Sequence, residues 1–433
     1  MNGFVELERL IEPSEVGELA EEVRAAFNAG RAVYPRGGGT KQAYGGPGRE
    51  RGLGLGLGKL HLLVDYAARD LTITVQAGMP LAELQRILAR ENQWWPVSAP
   101  DADRATVGGI VMTAWPGPRQ GRYGGAGDYF LGFRAVDGRG QLFSAGGKVV
   151  KNAAGYNLPR LFAGSLGVLG IVVEVTLMVR PRPETTTLLL AGLKSFEEAE
   201  EVLVCLGPLQ SELAATELLF GPEWGKIGGA FPAVQKGGQP LWLLLGLEGW
   251  EDEVVQMEQE VKARLGSRPN LSIERIPQPQ ATTIWQVLEE FSGEGSPVRI
   301  QMEANSETDC ILVMARMLPA RVPAAAGALA EVPGLMALQA HAASGVVWCW
   351  VKTERGKLGD VLTGQLRPAV GRWGGKVVLA RRPRGWQVSS QMVWGMPEES
   401  GSDVSALAKQ RLFAGLKAQF DPRGILNPGR MPW

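Results

Sequence analysis

Apolar and polar positions follow two periods along this chain, and the places where one period gives way to the other outline its elements. Pro13 and Ser14 precede Val16, Leu19, Ala20, Val23 and Phe27, a spacing that predicts an amphipathic helix closed by Gly30. "RAVYP" then reads as a short strand running into "RGGGT". In "DLTITVQAG" the apolar Leu71, Ile73, Val75 and Ala77 alternate with polar residues, the pattern of a half-buried strand. Pro80 opens a second helix carrying Leu81, Leu84, Ile87 and Leu88. The run "LFAGSLGVLGIVVEVTLMV" is broken by glycines and by Glu174, and its second half is β-branched. That predicts a loop feeding a buried strand, because a membrane span wants about 20 uninterrupted apolar residues.

Beyond Pro181 the texture changes. From Pro183 to Arg411 amphipathic helices such as "SFEEAEEVLVCLG" alternate with apolar strands such as "PLWLLLGLEG" and "SGVVWCWVK", without a visible repeat. This is the pattern of an α+β domain. The tail "FDPRGILNPGRMPW" is too rich in proline and glycine for a helix and reads as a segment docked on the rest of the chain.

Glycine sharpens this outline. Gly37, Gly38 and Gly39 follow a Pro-Arg pair at the end of a strand, and residues without a Cβ let another group approach the backbone closely. The order is helix, strand, glycine loop, whereas a Rossmann dinucleotide site needs strand, G-x-G-x-x-G, helix. Neither that motif nor G-x-x-x-x-G-K-[ST] occurs. The 45 basic and 45 acidic residues cancel, so no bulk charge points to nucleic acid or to an anionic membrane surface. Any anion must be held by local geometry. Cys205, Cys310 and Cys349 are isolated, which argues for a reducing compartment and against a cluster needing about four grouped thiolates. With His61 and His341 as its two histidines the chain has no histidine-rich metal site, and no metal is expected. The acidic N-terminus lacks the form of a secretion signal.

Six blocks carry a resemblance: "PRGGGT", "DLTITVQAGMPLAELQ", "ATVGG", "RYGGAGDYFLG", "GGKVVKNAAGYNLPRLFAGSLGVLGIVVEVTL" and "FDPRGILNPGRM". Their order resembles the PCMH-type FAD-binding domain of the vanillyl-alcohol-oxidase family, and most of all its branch of FAD-binding E subunits of bacterial glycolate oxidases. The resemblance implies an α+β fold: a FAD-binding domain of two α+β subdomains over 1–183, and an α+β ferredoxin-like cap over 184–411. A C-terminal segment, 412–433, would dock back on the FAD domain.

By the same resemblance Pro35, Arg36, Gly37, Gly38, Gly39 and Thr40 lie along the FAD pyrophosphate and offer it backbone N–H groups. Pro100, Ala105, Thr106, Val107, Gly108 and Gly109 form the second wall, with Tyr123 and Gly124 beside it. Ser165, Gly167, Gly170 and Ile171 line the adenine side, and Asn427 returns toward the flavin ring. Covalent relatives tether the flavin through a histidine near the glycine loop; Thr40 follows the glycines here, so noncovalent FAD is expected. His61 reads as a strand residue with a satisfied hydrogen bond, and the Trp94-Trp95 pair as core.

Oxidation of a 2-hydroxy acid needs a base for the hydroxyl proton and a cation for the carboxylate. The catalytic D-type subunits carry H-x-G-D-G-N-x-H, and the matching stretch here is "HAASGVVW". It keeps His341 as a catalytic candidate and puts Trp348 where the second histidine would stand. Arg299, Lys376 and Arg381 are candidate substrate cations. Asn157 and Gly127 also depart from the relatives' pattern.

The expected function is a FAD-binding subunit of a glycolate oxidase complex oxidising glycolate or D-lactate. It would work beside a catalytic FAD-containing D-type subunit and an iron-sulfur F-type subunit, in the cytoplasm or at the inner face of the membrane through those partners. The alternatives are a self-sufficient FAD-dependent D-2-hydroxy acid dehydrogenase and a non-catalytic assembly subunit.

Overall fold

The amphipathic stretch after Pro13 folds as the helix Val16–Ala29, burying Leu19, Ala20, Val23 and Ala26, and it stops at Gly30, whose φ of 63° a Cβ would oppose. In this computed structural model the described residues are 4–148, 156–226, 241–266, 268, 271–300, 308–395 and 404–432. They form two units, the first from Met1–Trp115, Gly125–Pro181 and Arg384–Trp433, the second from Pro116–Gly124 and Arg182–Pro383. The division is not linear. A nine-residue stretch from the glycine-rich half belongs to the second unit, and the chain re-enters the first at Arg384, well before residue 412.

The first unit holds two principal sheets. Leu7–Ile11 and Ala32–Arg36 both pair in parallel with Gly52–Gly56 between them. That central strand explains its Gly/Leu alternation. Leu53 and Leu55 are buried, while a Cβ on Gly52 would lie 2.5 Å from the Ala32 carbonyl oxygen and one on Gly54 2.8 Å from Leu7 Cδ1. Only a bare residue lets both flanking strands close in. The second sheet is antiparallel, in the order Leu63–Ala67, Thr72–Gln76, Ile171–Met178, Phe130–Val136, Leu142–Gly146. Thr72–Gln76 is covered on both faces and not half-buried as its alternation predicts. Ile73 and Val75 are in the core, and Thr72 and Thr74 are buried as well, the latter bonded to Thr176 at 3.0 Å. Cross-strand hydroxyl pairing makes the polar positions tolerable inside.

The C-terminal helix Val404–Phe420 leads into the irregular tail, as the proline and glycine content predicts. Buried Asp421 accepts the N–H groups of Ile425 and Leu426 at 3.0 and 2.7 Å, and Lys417 bonds it at 2.8 Å. Leu426 then bridges Val33 in parallel, so the tail joins the first sheet.

The second unit is built on one antiparallel sheet of eight strands. Thr185–Leu193, helix Phe196–Cys205, Ala215–Phe220, Leu241–Gly249, helix Glu251–Leu265 and Ile273–Ile276 form one strand-helix-strand-strand-helix-strand set. Thr308–Arg316, helix Val322–Ala330, Leu335–His341, Val346–Glu354, the helical stretch from Arg355 to Gly371 and Lys376–Arg381 form another. The two sets meet where Ala215–Phe220 pairs with Leu335–His341. A repeat of topology therefore exists where the sequence displays none. Among the described residues no helix is long and apolar enough to cross a membrane.

Candidate functional site: a cofactor cleft

The first unit contains a cleft. Its walls include Pro35, Arg36, Gly37, Gly38, Gly39 and Thr40 from the glycine loop, Ala105, Thr106, Gly108 and Gly109 from the second turn, Gly167, Gly170 and Ile171, and Asn427. Fourteen of the expected cofactor residues thus meet in one place. Pro100, Val107 and Ser165 do not line it. Val107 is core, Pro100 is buried and gives its carbonyl oxygen to Lys41 Nζ at 3.4 Å, and the Ser165 hydroxyl faces Met112 Sδ at 3.7 Å. Tyr123 and Gly124 belong to the second unit, where burial beside Glu248 pushes the Tyr123 phenol up.

The bare backbone at Gly37 and Gly38 serves first the contact between the two walls. A Cβ on Gly38 would fall on the Arg104 carbonyl oxygen, and one on Gly37 would collide with the Thr106 hydroxyl. Gly39 takes φ 74°, the region in which glycine costs least. Among the described residues the N–H groups of Gly37, Gly38 and Gly39 donate to no acceptor. Three successive open donors form a concavity suited to an anion.

The opposite wall differs. Thr106 caps the helix Val107–Thr113 by accepting the Gly109 N–H at 3.2 Å. The N–H groups of Val107 and Gly108 go to the carbonyls of Met79 and Ala77, each at 2.8 Å. That wall offers shape, since its leading donors are engaged.

The tail closes the cleft. Asn427, at φ 48°, donates its N–H to the Val33 carbonyl at 2.8 Å, and its amide group donates to the Leu166 carbonyl. Arg430, not expected from the sequence, is buried and donates to the carbonyls of Gln42, Tyr44 and Gly46, which pins the loop after the glycines. It lies inside one of the six quoted blocks, but an arginine in a proline- and glycine-rich tail carries no signal of burial.

A model of the FAD binding domain matches residues 7–146. FAD is the cofactor of this chain. The chain is 35% identical over 44% of its length to a D-2-hydroxyglutarate dehydrogenase of Xanthomonas citri pv. viticola, and 31% over 51% to the glycolate oxidase subunit GlcD of Bacillus subtilis. It is 36% identical over 32% of its length to the glycolate oxidase subunit GlcE of Escherichia coli. The chain spans less than half of these relatives' own lengths: 40%, 48% and 40% respectively. A solved structure of alkyldihydroxyacetonephosphate synthase superposes with a TM-score of 0.68 over 97% of this chain and 76% of that one, at 17% identity, a likeness of fold.

The cleft fits FAD by its unengaged donors, which face its interior from the glycine loop. Neither histidine lines it. His61 precedes the strand Leu63–Ala67 and is not part of it; the ring is exposed and bonds the Gly58 carbonyl at 2.9 Å. Trp95 is core as expected, whereas Trp94 is partly exposed. Val149 to Gly155, within one of the quoted blocks, lie outside the described residues.

The expected substrate groups in the second unit do not converge. His341 is 3% exposed, and its Nδ1–H donates to both carboxylate oxygens of Glu217, at 2.7 and 2.9 Å. Gln339 Nε2 donates to the same carboxylate at 3.0 Å. Arg381 is buried, paired with Glu294 at 3.3 Å and directed at the Ser292 carbonyl. Lys376 is exposed at the other end of the same strand. It shares a cross-strand row with His341 through Val346 and Arg316, three strands away. At about 4.8 Å per strand this is roughly 14 Å, beyond the reach of a small hydroxy acid. The side chain of Arg299 lies outside the described residues.

Proposed function

We propose that this chain is the FAD-carrying subunit of a complex that oxidises a small 2-hydroxy acid, glycolate or D-lactate, beside a catalytic flavoprotein subunit and an iron-sulfur subunit. The observation that carries this reading is a contrast within the chain. The cofactor cleft is built and has open donors, whereas the candidate substrate groups are dispersed, with His341 held against Glu217. FAD, when bound, supplies two-electron acceptance and one-electron release. The glycine loop and Arg36 hold its diphosphate, the wall from Ala105 to Gly109 keeps water from one side, and Asn427 with Arg430 fixes the loops. Thr40 offers no nucleophilic nitrogen after the glycines, so FAD is held noncovalently and acid precipitation releases it intact. The names of the relatives support the substrate class. Cys205, Cys310 and Cys349 are outside any disulfide and scattered, so electrons leave for a partner.

The test is to purify the chain alone and with its co-expressed neighbours and to record the visible spectrum before and after glycolate or D-lactate. The isolated yellow protein stays oxidised and the complex is bleached. Rapid bleaching of the isolated chain would overturn the subunit reading.

A second reading, a self-sufficient D-2-hydroxy acid dehydrogenase, is favoured by one observation. Glu217 fixes the His341 ring with Nε2 unprotonated in the neutral form, and Nε2 has no partner among the described residues. A base oriented by a carboxylate has this form. Under this reading His341→Ala abolishes bleaching of the isolated chain; under the first it leaves the turnover of the assembled complex largely intact.

A further inference from the structure

The two strand-helix sets of the second unit share a topology and differ in charge. Residues 185–276 hold fourteen acidic and seven basic residues, whereas residues 308–381 hold four acidic and nine basic. The helices of both sets form one layer. Glu251–Leu265 packs beside Phe196–Cys205, which packs on Val322–Ala330, and the last packs beside Arg367–Gly371. The central pair is close enough that a Cβ on Gly327 would lie 3.3 Å from the Phe196 side chain.

The outer surface of this layer keeps the asymmetry. Glu197, Glu200, Glu201 and Glu260 are exposed on the helices of the first set, and Arg321, Arg355, Lys357 and Arg372 are exposed on the second. Acidic residues in a first turn complement the helix dipole, which accounts for Glu197. It does not account for Glu200, Glu201 and Glu260, which lie past the first turn, and the last turn of Phe196–Cys205 has no basic residue to balance them. Glu197 and Glu201, four positions apart, repel each other on one helix face. Ion pairs inside a half, Arg268 with Glu201 and Lys357 with Glu354, each at 2.9 Å, remove one charge of each sign and leave the excess in place.

We propose that this helical layer is the interface between two copies of the chain, related by a twofold axis that runs along the seam between Phe196–Cys205 and Val322–Ala330. That axis sets the acidic half of one copy on the basic half of the other, twice over, as the self-complementarity of an isologous contact requires. A twofold axis running across the seam would set acid on acid and base on base, which like-charge repulsion opposes. The charge pattern therefore selects both the partner and the orientation. Val204, 73% exposed on the acidic half, supplies apolar surface to bury, and Ala324 and Ala328 on the helix beside the seam are small enough for the layers to approach. This surface is independent of the assignment of FAD to the cleft.

The test is sedimentation velocity of the purified full-length chain. The wild type is a dimer at about 0.1 M salt, and its dissociation constant rises at least ~10-fold at about 1 M, where the screening length has fallen from about 10 Å to about 3 Å. One variant combines Glu200→Lys, Glu201→Lys and Glu260→Lys, and another combines Arg321→Glu, Lys357→Glu and Arg372→Glu. Each weakens self-association by ~100-fold. Both keep the circular dichroism spectrum and the flavin content of the wild type, since none of these residues lines the cleft. Mixed in equal amounts the two variants restore the dimer, because every contact then again joins opposite charges. A wild type that is monomeric at low salt overturns the proposal, as does a dimer that survives both reversals or a mixture that stays monomeric. A monomeric wild type from which only one reversal releases a co-expressed neighbouring subunit assigns that half to the neighbour and overturns self-pairing.

Discussion

The cleft of the first unit and the seam of the second unit both bring polar groups to places largely shielded from water, and they complete them differently. In the cleft, three backbone N–H groups and a guanidinium are without partners among the described residues. At the seam, where Ala215–Phe220 meets Leu335–His341, Glu217 accepts from His341 and Gln339, all three at most 3% exposed. A similar completion holds Arg119, which pairs with Glu248 at 2.8 Å and with Glu289 and lies 4.0 Å from the Trp285 ring centroid. Burial of polar groups is tolerated when their partners are present. Where the protein supplies the partners it has built scaffold; where it withholds them it has left room for a ligand. Arg381 and His341 have partners of their own, whereas Arg36 has none among the described residues.

The largest test of this contrast is Gly38→Val. Its Cβ would fall on the Arg104 carbonyl, so the walls part and the flavin is lost. The purified variant is expected to be colourless, and a variant that keeps a full complement of FAD would sink the account of the walls. Next is Glu217→Ala, which leaves a buried imidazole and amide unpaired and costs about 3–5 kcal/mol. Chemical denaturation measures it. Flavin content per folded molecule should not change; loss of flavin without loss of stability would erase the distinction between scaffold and site.

The smallest effect is expected at Tyr34, which lines the cleft and donates its hydroxyl to the Glu50 carbonyl at 2.7 Å. Burial pushes its phenol above the ordinary value of 10.0, so the folded state keeps the proton after the unfolded chain has lost it. The stability that Tyr34 contributes is therefore complete below pH 10 and declines as pH rises beyond it. Tyr34→Phe should flatten that alkaline decline while costing about 1 kcal/mol at neutral pH. An alkaline limb identical in the two proteins would show that the phenol does not titrate with folding.

What the sequence by itself determined is what depends on near neighbours. The helix from Val16 and its stop at Gly30, the paired turns of small residues and the irregular tail all follow from spacing and from residues whose backbone freedom is set locally. Half of the residues that line the cleft were legible too, because a glycine loop carries its meaning in consecutive positions. Tertiary structure alone decided which glycines pack and which leave donors open, since Gly38 is bare for Arg104, far along the chain. It decided that Tyr123 and Gly124 belong with the second unit. It also placed Glu217 against His341, 124 positions away, and Arg430 against Gln42, 388 away. No period in the sequence encodes such pairs. They exist only when strand register and chain return bring a donor and an acceptor within about 3 Å, a distance that hydrogen bonding enforces and sequence spacing cannot express.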